Sequence, residues 1–97
     1  MSDDLATFLP QDRPVINPLY LFRWEDSQQA YVLLYPEGVV KLNDSAGAIL
    51  RRCDGRTLAE LTADLRQEFD ADAHQVERGV QKFLEESHAK GWIRRQA

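Results

Sequence analysis

Ninety-seven residues with 12 lysines and arginines against 16 aspartates and glutamates, 43% hydrophobic positions and a single cysteine set narrow limits. One domain is expected, because a chain of roughly 100 residues cannot divide its core, and a large cofactor buried inside it is not expected. The net charge of −4 argues against a protein that coats nucleic acid or an anionic membrane, and one cysteine can form neither an internal disulfide nor a multi-thiolate metal site. The longest apolar run, residues 30–35, is far short of the ~20 residues of a membrane span. Asp3 and Asp4 stand where an export signal would carry bases. The expectation is a soluble protein of a reducing, cytoplasmic compartment.

Residues 1–18 contain Pro10, Pro14 and Pro18 and show no apolar periodicity. They are expected to form a flexible or extended arm ahead of a domain over 19–97. In residues 19–24 the aromatics Tyr20, Phe22 and Trp24 alternate with other side chains, the period of a strand. A polar turn at 25–28 leads to a second strand over 29–35, and Pro36, Glu37 and Gly38 reverse the chain into a third over 39–42. After Asn43 and Asp44 the spacing becomes helical: Ala46, Ile49, Leu50 and Cys53 share a face, and Asp54 and Gly55 end the segment. Thr57 and Glu60 have the form of a capping box ahead of Leu58, Leu61, Leu65 and Phe69. Asp72 and Gln75 open a third helix through Val76, Val80, Phe83 and Leu84, which Gly91 closes, with Trp92 and Ile93 folding back onto the core. The order βββααα predicts an α+β, winged-helix-like fold: a three-stranded antiparallel sheet followed by a three-helix bundle.

No residue set has the pattern of a catalytic or metal site. His74 and His88 lie 14 positions apart on one predicted helix, about 21 Å, too far to share an ion. Cys53 sits on an apolar face and reads as a small core residue, although Arg51, Arg52 and Arg56 beside it would favour a thiolate. The acid pairs read as solvated surface or helix caps, and the five glycines are too scattered for a phosphate loop. Binding to DNA through the helices is disfavoured: residues 72–90 hold four acids against three bases, and residues 57–70 four acids against Arg66 alone. Arg51, Arg52 and Arg56 are the candidate docking site for an acidic partner, their alternative role being helix-end charges.

The third strand is at an edge of the meander, and an exposed edge can accept an extended peptide through its backbone groups. Val39, Val40 and Leu42 fit that role, with Val76, Val80 or Phe83 at the floor of a cleft against the third helix; on the residues alone they read first as an ordinary edge strand and core. Either edge can instead pair with a second copy, giving a homodimer.

Residues 32–43, VLLYPEGVVKLN, with Ala46, Ile49, Leu50, the Cys53-Asp54-Gly55 turn, Leu58 and Leu61, closely resemble the pyrroloquinoline quinone (PQQ) biosynthesis protein D family, PqqD. The likeness runs from Arg13 to Gly91-Trp92-Ile93. It implies a non-catalytic peptide chaperone, without a cofactor, that binds the ribosomally made precursor peptide PqqA and presents it to the radical S-adenosylmethionine enzyme PqqE. Carried onto this chain, the peptide would add to Gly38, Val39, Val40, Lys41 and Leu42 and lie against Val76, Gly79, Val80 and Phe83. On this basis a proline at Val40 is expected to weaken peptide binding. Recognition of another modified peptide, or a winged-helix regulator, are the alternatives.

Overall fold

The structure is a computed structural model that describes residues 7–96. Residues 1–6, part of the expected arm, lie outside the described residues. In chain order the elements are β1 (Arg13–Ile16), β2 (Leu21–Glu25), β3 (Ala30–Tyr35), β4 (Gly38–Lys41), α1 (Asp44–Arg51), α2 (Leu58–Glu68), α3 (Ala73–Ala89) and β5 (Ile93–Gln96). The fold is therefore mixed α+β, with the expected three-stranded antiparallel sheet in the order β2-β3-β4 and the three expected helices. A second sheet, β1 paired with β5, was not expected.

That ribbon corrects the reading of residues 7–18 as an arm. Arg13 pairs with Gln96 and Ile16 with Ile93, and Pro14 fits there because a two-stranded ribbon is all edge. Ahead of it, Phe8 is only 2% exposed. Its backbone amide donates to Gln81 Oε1 (2.8 Å) and its carbonyl accepts from Gln81 Nε2 (2.9 Å), while the Arg95 guanidinium lies 4.1 Å from its ring centre. Apolar periodicity could not reveal this segment, because its partners lie far along the chain: Asp54, Leu58 and Ala59 in the middle, and Gln81 and β5 beyond.

Local signals placed the helices. Asn43 caps α1 by accepting from the Ala46 amide, and Thr57 and Glu60 form the complete capping box of α2. Asp72 caps α3 by accepting from the His74 and Gln75 amides. Gly91, at φ +80°, turns the chain out of α3. The core sits between the inner sheet face and the helices, around Leu33, Leu50, Leu61 and Leu84. Ile93 joins it as expected. Helix α1 crosses the sheet closely at Gly47, where a Cβ would come within 2.8 Å of Tyr31 Cδ2; the helix that follows β4 is thereby seated on β3. Phe69 departs from expectation. Helix α2 ends at Glu68, Phe69 is extended (φ −110°, ψ 120°), and its side chain is 39% exposed instead of lying in the core.

Candidate functional site

Among the described residues, strand β4 has β3 as its sole neighbour in the sheet. Its ladder has a definite phase. The Leu42 amide donates to the Tyr31 carbonyl at 3.0 Å, and in an antiparallel pair the hydrogen-bonded positions alternate. Val40 opposite Leu33 and Gly38 opposite Tyr35 therefore belong to the inward-bonded set. Val39 and Lys41 turn their amides and carbonyls away from β3. A proline at Val40 would thus break the internal ladder, and the position that tests an added strand is Val39 or Lys41.

Side chains divide the opposite way. Val40 and Leu42 point to the inner face, Leu42 5% exposed, whereas Val39 projects from the outer face at 61% exposure. Beside β4, a cleft of about 280 Å³ separates the strand from α3, bounded by Val40, Lys41, Phe83, Ser87, Lys90 and Trp92. Phe83 and Ser45 also line a second, more apolar groove of about 330 Å³ that continues between α2 and α3 past Phe69, Val76 and Gly79. The two form one track with Phe83 at their junction.

Most of the expected positions meet on this track. Val76 and Phe83 are half-buried in its wall, and Val80, almost wholly buried, serves mainly the core. Nothing lies within 4 Å of where a Gly79 Cβ would be. Packing inside the chain therefore does not account for a glycine in mid-helix; it leaves the groove floor low. Five contributors escaped the sequence reading: Phe69 and Trp92, counted as core; Ser45, on the polar side of α1; and Ser87 and Lys90, hidden among the solvated charges of α3. The signal for the last two was their spacing from Phe83, four and seven residues, which keeps them on one helix face.

The three arginines do not form an open basic patch. Arg52 is 4% exposed, donates to the Ala48 carbonyl and is held by Asp64 (2.5 Å) and Glu68. Arg51 also pairs with Glu68, at 3.2 Å, and Arg56 with Asp54, at 2.9 Å. This network ties the end of α1 to α2, and Arg52 is enclosed by it instead of offered to a partner. The Arg52 hydrogen bond holds the Asp64 carboxyl below the usual aspartate range, and Arg56 does the same for Asp54. Burial, with a smaller push from Asp54, raises the Cys53 thiol to about 12, leaving it protonated and unreactive. Among the described residues no three His, Cys, Asp or Glu side chains gather in a way that could hold a metal ion, and no helix is long and apolar enough to cross a membrane.

An edge strand with outward backbone groups, set along an apolar track of helix side chains, defines the class: a small peptide-binding domain. Comparison with known proteins narrows it. The family model for Coenzyme PQQ synthesis protein D (PqqD) matches residues 30–93, and the chain belongs to the PqqD family. It is 42% identical over 94 residues to the PqqA binding protein of Acinetobacter baylyi, covering 96% of this chain and 89% of that one. With the PqqA binding protein of Azotobacter vinelandii it shares 46% identity over 83 residues, 84% of this chain and 89% of the relative. A solution NMR structure of the PqqD truncation of Methylobacterium extorquens PqqCD, described as a functional, stand-alone recognition element for ribosomally synthesized and post-translationally modified peptides, superposes with a TM-score of 0.74. It is 29% identical, with 91% of this chain and 95% of that one covered. Members of this family and fold are non-catalytic peptide-binding proteins, and the chain is accordingly no enzyme.

Proposed function

We propose that this chain binds a PqqA-type precursor peptide as an added strand on β4, laid along Phe83, Gly79 and Val76 of α3, and presents it to the radical S-adenosylmethionine enzyme PqqE. The observation that carries the reading is the phase of β4: the backbone groups of Val39 and Lys41 face outward beside the groove. Backbone pairing gives register without demanding a particular peptide sequence, and the apolar track selects side chains. No bond is made or broken. Holding one segment of the peptide raises its effective concentration at the enzyme and removes part of the ordering cost there. The winged-helix-like arrangement of sheet and helices and a cytoplasmic site of action accord with this role. The same exposed edge would serve for pairing with a second copy, in which case peptide binding and dimerisation would compete.

The experiment is a titration of PqqA peptide into ¹⁵N-labelled protein, with and without PqqE. Amides of residues 38–43 and 76–83 shift with the peptide, and PqqE broadens the complex further. Shifts confined to the β1–β5 ribbon would refute strand addition, and preferential binding of an unrelated precursor would move the chain to another peptide pathway.

A further inference from the structure

Ser87 is 1% exposed and its Oγ has no hydrogen-bond partner. A buried hydroxyl without a partner is uncommon, because its desolvation is left uncompensated. This one lines the strand-helix cleft, at the end away from Gly79. A cation stands at the same end: Lys90, one helical turn beyond Ser87 and held 4.7 Å from the Trp92 ring centre; Lys41 borders the cleft from the facing strand, but its side chain, in phase with Val39, leaves the outer face. Glu86, four residues before Lys90, also borders the cleft. Lys90 has no ion-pair partner among the described residues, although the chain as a whole is acidic.

We propose that this end of the cleft is a carboxylate subsite: Ser87 donates its hydroxyl to, and Lys90 pairs with, an acidic group of the bound peptide. The inference rests on the strand-addition reading and deepens it, adding a polar anchor that fixes the register in which an otherwise sequence-tolerant strand is held. The hydroxyl and the ammonium group are both donors, and a carboxylate offers an acceptor to each. The acid is either an Asp or Glu side chain of the peptide or its terminal carboxylate, and Glu86 disfavours a peptide shifted so as to place a second acid beside the first.

The test uses the full chain and synthetic PqqA peptide, with a panel in which each acidic residue is replaced singly by its amide and one member carries an amidated C-terminus. Lys90→Met is expected to weaken binding of the unmodified peptide about tenfold. One panel member is expected to bind the unaltered protein about tenfold more weakly and to lose little more on Lys90→Met. Whether that member is a side-chain amide or the C-terminal amide identifies the source of the carboxylate. Ser87→Ala is expected to keep or raise the thermal midpoint while weakening the peptide severalfold, a combination that a merely structural serine would not give. Losses that multiply for every panel member, or unchanged affinity of Lys90→Met, overturn the subsite while peptide-dependent shifts at 38–43 still uphold strand addition. Absence of those shifts overturns both.

Discussion

Replacing Val39 with proline removes one backbone donor that points away from the sheet and leaves the β3–β4 ladder its own bonds, because those bonds belong to Gly38, Val40 and Leu42. The Val39 side chain is 61% exposed on the outer face, so little packing is lost. A peptide added to β4 would meet the amides and carbonyls of Val39 and Lys41. Deleting one amide strands a peptide carbonyl against the edge, at a cost of about 1–3 kcal/mol, which corresponds to roughly 5- to 150-fold weaker binding. Val39→Ala, which keeps the amide, is the control and should stay within about threefold of the unaltered protein. The assay is fluorescence anisotropy of labelled PqqA peptide, with circular dichroism to confirm that both variants are folded. A folded Val39→Pro protein that binds as tightly as Val39→Ala would refute strand addition at this edge. Val40→Pro should instead lower stability itself, since its amide serves the Leu33 pair.

Gly79→Ala should raise the thermal midpoint, because the new Cβ meets nothing within 4 Å and alanine is favoured over glycine in a helix interior by about 1 kcal/mol; Gly79→Leu should fold as well yet bind peptide at least about tenfold more weakly by filling the groove floor. Phe8→Ala, at a site 2% exposed, should cost about 3–5 kcal/mol in chemical denaturation, whereas a value under about 1 kcal/mol would mean that the segment does not belong to the fold. Acid titration of stability should show a fall below about pH 4, near the ordinary aspartate value. Folding depresses the Asp64 and Asp54 carboxyls, so the unfolded chain binds protons first and stability is lost as pH drops through the folded values. Asp64→Asn should shrink the difference between urea midpoints at pH 3 and pH 6, and an undiminished difference would contradict the assignment.

What the sequence made legible was whatever its neighbours decide. The capping residues Asn43, Thr57 and Asp72 act within three positions, so the helix starts were readable, and the alternation of Tyr20, Phe22 and Trp24 marked a strand before any partner was known. The groove was half legible: Val76, Gly79 and Phe83 share a helical face, but Phe69 was assigned to the core because helical periodicity was carried one residue past the end of α2. Arg52 looked like surface charge for a related reason. Its enclosure depends on Asp64 and Glu68, which stand four apart on one face of α2 and can grip one guanidinium together. That spacing was visible, but the packing of α1 on α2 was not. Strands β1 and β5 were illegible because each derives its structure from the other across the whole chain.

The pairing of Arg13 with Gln96 also orders the events of folding. Closing a loop of about 80 residues costs more entropy than forming a tight turn, and non-local pairings accordingly tend to come late. The β3–β4 hairpin joins through a two-residue turn and runs directly into α1, and α3 follows within a few tens of residues. Strand β4 and the helices that form the groove can thus assemble while the two ends of the chain remain apart. The ribbon between the ends would then close last, on a groove that is already shaped.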